Sequence, residues 1–202
     1  MAYTITPYKR DGLGEVGTTG TSATVVNATA RGFRNVAIGA LIQATGGDRT
    51  VIAKASETSI TVSSAVDYDP AVTFEYTNPA LTLTGIYHIK HTKSDKPNIT
   101  PITGKDADYC YATIGNGAIR DIQISGWIRS STIADVYNNI AILESLADGS
   151  QTRQGTCTFT EDVPPRTSYV YITSLNWQYT RDNPKQIEVT INMVECKYRR
   201  ST

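Results

Sequence analysis

The stretch of sequence that decides the fold reads Ile122-Gln123-Ile124-Ser125-Gly126-Trp127-Ile128 and continues into a helical pattern that ends at Gly149. Apolar residues alternate with other residues in the first seven positions, which is typical of a half-buried strand. Thr132 then provides a good N-cap, with Asp135 in the capping-box position. The spacings of three and four residues that follow predict a helix over residues 133–147. Its apolar stripe consists of Ile133, Val136, Ile140, Leu143 and Ala147, and the opposite face carries Asn138, Asn139, Glu144 and Ser145.

The residues after the helix alternate in the manner of three strands, over residues 156–160, 168–179 and 186–196. The turn Arg181-Asp182-Asn183-Pro184-Lys185 joins the last two and predicts an antiparallel hairpin. Strict alternation in the middle strand places bulky residues on both of its faces, so we expect both faces to be covered. One face would carry Tyr169, Tyr171, Leu175, Trp177 and Tyr179, and the other would carry Val170 and Ile172.

The N-terminal part of the chain is organised differently. Residues 15–79 form a run of short alternating segments with glycine turns, such as Gly46-Gly47-Asp48-Arg49, and predict a small β module. Residues 1–14 predict an extended arm that pairs with its own sheet or with the edge of a neighbouring subunit. Residues 94–118 are polar and weakly patterned, so we expect a long loop that carries an intersubunit contact. The main domain would then be residues 80–202. The expected fold class is mainly β, an antiparallel β-sandwich or barrel with one packed α-helix and a small N-terminal β module.

Composition and charge exclude several classes of partner. The chain has 202 residues, with 19 Lys and Arg against 19 Asp and Glu, and a formal net charge of zero. A balanced charge does not indicate nucleic acid or an anionic membrane as the main partner. No apolar stretch of the sequence is long enough to span a bilayer. Residues 1–6 lack the pattern of a signal peptide, so we expect synthesis in a cytoplasm.

The residues that carry chemistry show no spacing that catalysis or metal binding requires. His88 and His91 lie in a strand-like segment, so their side chains are expected on opposite faces. Asp106 and Asp108 lack the later ligands of an EF-hand loop, which favours a solvated loop over a calcium site. The cysteines are far apart and predict small buried side chains, not a disulfide framework or a zinc site: Cys110, Cys157 and Cys196. We therefore predict a protein that is not an enzyme and has no cofactor.

Residues 119–196 resemble phage tail proteins of the distal-tail and tail-tube type. In those proteins a strand like residues 122–128 precedes a helix, and a strand like residues 169–177 pairs with one like residues 186–195. The resemblance implies a ring, commonly of six subunits, whose strands join edge to edge into a continuous barrel around a channel. Each subunit then covers the sheet edges of its neighbours. The helix would pack outside this barrel, and long loops would bridge successive rings.

Residues 15–79 are similar to a small β module that occurs in phage virion proteins. The similarity rests on Thr24-Val25-Val26-Asn27, on Val36-Ala37-Ile38-Gly39 after Phe33, and on Thr58-Ser59-Ile60-Thr61-Val62-Ser63. Both resemblances point to the same biological setting, which is the virion.

Together these resemblances imply a structural component of a bacteriophage or phage-like tail, either a tail tube protein or a distal tail protein of the baseplate. Such a protein would reside in the virion after synthesis in the host cytoplasm. Its partners would be further copies of itself in a hexameric ring and the adjacent tail proteins, with no membrane partner. DNA would pass through the lumen without sequence-specific binding. The candidate intersubunit contacts are Tyr3, Ile5, Asp106, Asp108, Tyr109, Trp127 and Trp177.

The two tryptophans leave a second interpretation open. Tryptophan and tyrosine rings have an apolar face and a polar edge, which suits contact with sugars as well as with protein. Trp127 and Trp177 therefore also fit a carbohydrate- or receptor-binding β module at a tail tip or on a cell surface.

Overall fold

The structure is a computed structural model that describes residues 3–19, 23–29, 31–94, 98–101, 110–113, 119–147 and 157–196. Within these ranges the chain is mainly β, with antiparallel strands, a closed six-stranded barrel and one helix. This confirms the expected fold class. The N-terminal part of the chain forms the barrel, and the C-terminal part forms most of a seven-stranded sheet on which the helix packs.

The barrel has a closed hydrogen-bonded circuit and its own apolar core. Its strands are β2 (Arg10–Thr18), β3 (Ala23–Ala28), β4 (Leu41–Ala44), β5 (Arg49–Ser56), β6 (Ser59–Val66) and β7 (Val72–Thr77), in the spatial order β2-β3-β6-β5-β4-β7. Phe33 and Phe74 are in contact inside it, with ring centroids 5.6 Å apart. Gly46 and Gly47 have positive φ angles in the turn between β4 and β5, as the predicted hairpin requires. The barrel begins at Arg10, so the predicted boundary at residue 15 falls inside β2.

The seven-stranded sheet has the spatial order β8-β1-β13-β14-β15-β12-β9. Its strands are β1 (Tyr3–Thr6), β8 (Leu81–Leu83), β9 (Gly85–Ser94), β12 (Ile119–Arg129), β13 (Cys157–Glu161), β14 (Arg166–Thr180) and β15 (Asn183–Cys196). Strands β14 and β15 form the predicted terminal hairpin, and β15 also pairs with β12. Ile122, Ile124 and Ile128 face the core, as their alternation predicts.

The N-terminal residues are part of this sheet and do not form a free arm. Strand β1 lies between β8 and β13, with Tyr3 opposite both Glu161 and Leu83. Tyr3 is 6% exposed, Ile5 is fully buried, and the Tyr3 ring stacks on Phe159. Tyr3 and Ile5 are therefore core residues of this chain, which leaves little of their surface for the contact between subunits that the sequence predicts. A short alternating arm fits its own sheet as well as a neighbour's edge, so the pattern alone cannot separate the two.

Helix α1 spans Ile133–Leu146 and begins with the predicted capping box. The Asp135 backbone N–H donates to Thr132 Oγ1 at 3.1 Å, and the Thr132 N–H donates to Asp135 Oδ2 at 3.0 Å. Gly149, the predicted stop, lies outside the described residues. Ile133 is exposed, and the buried surface is wider than one stripe: Val136, Ile140, Ala141, Ile142, Leu143, Ser145 and Leu146. More than one side of the helix is therefore covered.

The barrel covers the side of the helix that the sequence marks as polar. The backbone N–H of Ile38 donates to Asn138 Oδ1 at 2.6 Å. Asn78, in the connection between β7 and β8, donates from Nδ2 to Ser145 Oγ at 2.9 Å. Asn78 is itself buried and accepts a hydrogen bond from the Ala37 N–H. The helix thus lies between the sheet and the barrel, and its polar side chains join the two units.

A β-bulge in β14 decides which of its side chains face the core. Ile172 lies opposite Met193 and Leu175 lies opposite Ile191, so β14 contains one extra residue, Thr173. The bulge places Leu175, Trp177 and Tyr179 on the same side as Val170 and Ile172, whereas Tyr169 and Tyr171 face the other side. The expectation that Leu175, Trp177 and Tyr179 share a face with Tyr169 and Tyr171 is therefore wrong, because the inserted residue shifts the alternation by one position.

Part of the predicted loop 94–118 also forms strands. Strands β10 (Asn98–Pro101) and β11 (Cys110–Thr113) pair with each other beyond the β9–β12 pair. Asp106, Asp108 and Tyr109, three of the candidate contacts, lie outside the described residues.

Candidate interaction surfaces

One face of the seven-stranded sheet packs on the core and the helix, and the opposite face is polar and open. On β12, alternate residues point to this open face and are half-buried: Asp121, Gln123, Ser125 and Trp127. Their neighbours on β15 are Val194, Asn192, Thr190 and Glu188. The Ser125 and Thr190 hydroxyls are 3.2 Å apart and hydrogen-bonded across the strands. Along β12 and β15 the open face thus offers mainly hydroxyl, amide and carboxyl groups to a partner, and on β14 it also carries the exposed rings of Tyr169 and Tyr171.

An aromatic pair stands at one end of this open face. The rings of Tyr87 and Trp127 lie 4.8 Å apart between centroids and are tilted by 50°. The Tyr87 hydroxyl donates to Glu188 Oε1 and the Gln178 amide donates to Glu188 Oε2, each at 2.8 Å. The bonds from Gln178 and Tyr87 lower the pKa of Glu188, and the bond to Glu188 raises the pKa of Tyr87. Glu188 therefore stays ionised and fixes the position of an aromatic ring that is 52% exposed.

A shallow cleft lies further along the same face. It has a volume of about 290 Å³ and is lined mainly by polar side chains, among them Lys90, Asp121, Gln123 and Asn192. Gln123 is four residues from Trp127 on the same side of β12, which corresponds to about 13 Å at the usual rise of a strand. The aromatic pair and the cleft together form an amphipathic strip long enough for two or three sugar rings.

The two edges of the sheet differ in length. Strand β9 forms one edge with ten residues and pairs only with β12, whereas β8 forms the other edge with three residues. Among the described residues nothing hydrogen-bonds to the outer side of β9. A long unpaired edge presents free N–H and C=O groups, which soluble proteins usually cover with another strand or guard with charge.

A cluster of charged residues closes one end of the sheet on its core side. The Arg120 guanidinium bonds Glu161 at 3.2 Å and lies 3.6 Å from Glu195, which in turn pairs with Arg166 at 2.6 Å. Arg120 also donates to the ring of His91, and burial lowers the pKa of this histidine. Each carboxylate has an arginine partner, so the cluster has the character of a structural ion network. It offers no free general acid or base.

The two histidines do not form a common site. On β9, His91 lies opposite Ile122 and so points to the core side of the sheet. His88 lies opposite Ser125 and points to the open face. This agrees with the expectation of opposite faces.

A groove of about 320 Å³ separates the barrel from the helix. Its barrel wall includes Ile38 and Lys54, and its helix wall includes Ala134, Tyr137 and Ala141. Ile38 is exposed, and Tyr137 is 61% exposed. The amine of Lys54 donates to two carbonyl oxygens of the barrel at 2.9 Å each. Burial lowers the pKa of Lys54.

The charges around this groove do not cancel. Glu57 pairs with Arg31 at 3.3 Å, and Glu144 pairs with Arg34 at 3.8 Å. Within the described part of the chain, Lys54 forms no ion pair with a carboxylate. Arg31, Arg34 and Lys54 together outnumber Glu57 and Glu144 by one charge around this largely apolar groove, which favours an occupant that is apolar and carries one negative charge.

The two tryptophans that the sequence suggested as one sugar-binding surface lie on different sides of the sheet. Trp127 lies on the open face, whereas Trp177 packs against the core on the helix side, edge-on to Tyr179 at 5.6 Å. The two tryptophans thus cannot form one sugar platform. Tyr87, Glu188 and Lys54 are candidate contact residues that no sequence pattern predicted. The residues around them gave no local motif, since each acts through a partner more than forty positions away or through a backbone carbonyl.

Metal ligands and membrane-spanning helices are the remaining features that could define a site. In the ranges that the structure describes, no three His, Cys, Asp or Glu side chains converge in a way that would hold a metal ion. Within those ranges no helix is both long and apolar enough to cross a bilayer. Cys157 is buried with a free thiol, as expected. Comparison of the chain with protein-family models, curated proteins and solved structures gave no match.

Proposed function

We propose that the chain is a structural component of a bacteriophage or phage-like tail, which forms a ring around the tail channel as a tail tube or distal tail protein. The observation that carries the proposal is the sheet itself. It has the strand–helix–hairpin order of the resemblance, β12-α1-β13-β14-β15, and within the described residues the outer side of its ten-residue edge strand β9 has no pairing strand.

The two edges of the sheet suit a contact between copies because they differ. Strands β8 and β9 are consecutive in the chain and joined only by Thr84, so the sheet curls until these first and last strands of the hydrogen-bonded order approach each other at Thr84. In the proposed contact, β9 of one copy pairs with β8 of the next. Such a contact uses different surfaces on each partner, and it closes into a ring when the rotation between copies is a simple fraction of a full turn. The resemblance implies six copies.

In this proposal the protein acts by its contacts, and no catalytic step is assigned to it. Adjacent tail proteins would stack on the ring. The open face carries both signs of charge, with Lys90 near Asp121. A lumen lined by such a face would let DNA pass without a sequence-specific contact, because the described side chains of the face form no basic stripe that would hold the phosphates.

Negative-stain electron microscopy and sedimentation velocity of the purified chain test the proposal. We expect rings or short tubes at high protein concentration, with a sedimentation coefficient that rises with concentration. A chain that sediments as a monomer at all concentrations and shows no rings would refute it.

A second function is favoured by one specific observation, the strip that joins Tyr87 and Trp127 to the polar cleft. We infer that this strip would bind a neutral oligosaccharide if the protein is a receptor-binding module. Aromatic rings stack on the C–H face of a sugar, and carboxylate and amide groups bond its hydroxyls. On a glycan array, Trp127→Ala should abolish binding, whereas Trp177→Ala should retain it because Trp177 lies on the other side of the sheet. Equal loss in both variants would count against this strip.

A further inference from the structure

The turn between β13 and β14 is an exposed apolar projection with one negative charge. It consists of Asp162, Val163, Pro164 and Pro165, all exposed. Val163 is 54% exposed. Arg166, which follows, is already paired with Glu195 at 2.6 Å. Asp162 therefore gives the turn a net charge of minus one.

Two adjacent prolines make this turn well suited to docking. Their fixed φ angles restrict the chain before any contact is made, so little backbone entropy is lost on binding. Val163 is followed by both prolines, and covering these exposed apolar side chains with an apolar surface lowers the free energy. The turn thus has the chemistry that the groove between barrel and helix requires, an apolar body with a single carboxylate.

The turn and the groove lie towards opposite ends of the long strand β14. Glu161 pairs with Arg166 at the beginning of β14, next to the turn. The groove lies beside the first half of the helix, and the chain enters this helix at Ser130, whose N–H donates to Lys185 O at 2.9 Å. Lys185 belongs to the hairpin end at which Thr180 finishes β14.

Arg166 and Thr180 are fourteen positions apart, roughly 45 Å along the strand at the usual rise. A copy of the chain therefore cannot place its own turn in its own groove. A contact between turn and groove has to join two copies head to tail. Contacts of this kind build closed rings or open filaments, since each copy gives its turn to one neighbour and its groove to the other.

We propose that the Asp162–Pro165 turn of one copy docks in the groove between the barrel and the helix of the next copy. Asp162 pairs with Lys54, and Val163 and the prolines cover Ile38 and Tyr137. This inference rests on the self-association in the proposed function and names a contact that the resemblance does not supply. The third N–H of the Lys54 amine is the donor, because its other two bonds go to the carbonyl oxygens of Arg34 and Val36.

A charge exchange tests the pairing by sedimentation equilibrium of the full chain. Asp162→Lys and Lys54→Glu should each weaken association at least tenfold, because each places two like charges together. The double variant should restore association to within about threefold of the unmodified chain. Glu15→Lys and Lys185→Glu make the same charge changes at exposed positions elsewhere and should have less than a twofold effect.

Failure of the double variant to associate better than either single variant would overturn the pairing. Lys54→Glu loses two hydrogen bonds to the barrel, so its folding must be checked by circular dichroism. Val163→Asp and Tyr137→Ala change only exposed side chains and keep the test open if Lys54→Glu does not fold. Each should also weaken association about tenfold. An association constant that is unchanged in both variants would overturn the contact.

A photocrosslink separates this inference from the tail proposal. A benzophenone amino acid at position 137 should crosslink to a peptide that contains Val163 of another copy. Rings that crosslink elsewhere would overturn the contact and leave the tail proposal standing. Absence of rings together with a crosslink to the turn at high concentration would support the contact and refute the ring. Absence of both refutes both.

Discussion

Replacement of Gly126 by alanine should loosen the edge strand β9 from the sheet. Gly126 lies on β12 next to an irregularity in its pairing with β9, between Ser125 and Gly126. A Cβ atom at this position would lie 2.7 Å from the carbonyl oxygen of Gly85 and 2.7 Å from Ile86 Cα. Both are backbone atoms of β9, so no side chain can rotate away to make room. The strand itself has to move.

Two effects of opposite sign set the change in the free energy of unfolding that Gly126→Ala causes. Alanine restricts the unfolded chain and by this alone would stabilise the fold by about 0.5–1 kcal/mol. An extra carbon in a packed site costs about 1–3 kcal/mol, and a clash with backbone lies at the upper end of that range. The net expectation is a loss of about 2 kcal/mol in the free energy of unfolding. For a chain of this size that corresponds to a fall in Tm of roughly 4–8 °C.

Thermal unfolding monitored by circular dichroism measures this fall in Tm, with Gly17→Ala as the matched control. Gly17 is also a strand glycine, in β2, but a Cβ there would lie 3.6 Å from Ala71 Cβ, an ordinary van der Waals distance. Gly17→Ala should leave Tm unchanged or raise it slightly. If the Tm of Gly126→Ala lies within about 2 °C of that of Gly17→Ala, well short of the expected fall, the close approach of β9 to Gly126 is refuted. Because β9 is the proposed ring edge, the folded fraction of Gly126→Ala should also form fewer rings.

Three further predictions concern the buried Asn78, the helix N-cap at Thr132 and the pH dependence of the ion network around His91. Asn78→Ala should cost about 3 kcal/mol in urea unfolding, because it removes three hydrogen bonds and leaves the buried Ala37 N–H without its acceptor; a cost below about 1 kcal/mol would contradict this. Thr132→Ala removes the N-cap and should lower the free energy of unfolding by about 1 kcal/mol, with Thr132→Ser as the tolerated control. The free energy of unfolding should fall as pH drops below 6.5, the ordinary value for His91, because burial lowers its pKa in the fold and the unfolded chain binds the proton more readily. His91→Asn should remove that part of the pH dependence. A second fall should follow below 4.5: burial alone would raise the pKa of Glu195, but its hydrogen bonds and ion pairs outweigh burial and lower it.

The features that the sequence predicted well are those formed by near neighbours in the chain. The capping box at Thr132 and Asp135 depends on residues three positions apart. The hairpin of β14 and β15 depends on two alternating segments and the turn between them. Gly46 and Gly47 allow the positive φ angles of their turn wherever the barrel lies. Local patterns of this kind are set by backbone sterics and short-range hydrogen bonds, which the sequence displays directly.

The features that the sequence did not predict depend on partners that are distant in the chain. The polar residues Asn138 and Ser145 marked one side of the helix as hydrophilic, but their hydrogen-bond partners are barrel groups and not water. An amphipathic pattern identifies polar positions without identifying what satisfies them. The same limit applies to Tyr3 and Ile5, whose alternation fits any free strand edge.

The bulge at Thr173 has the widest consequence, because it decides which surfaces remain available for contact. Without it, Trp177 and Tyr179 would share a face with Tyr169 and Tyr171, and the sheet would be apolar on both sides. With it, the open face carries Tyr169, Tyr171 and the pair of Tyr87 and Trp127 among polar groups, and the helix side carries the groove. The proposed docking groove and the oligosaccharide strip therefore lie on different sides of the sheet. A variant in the groove should leave sugar binding unchanged, and a variant of the aromatic pair should leave docking unchanged. Loss of both from a single exposed substitution would indicate that the sheet itself had been disrupted.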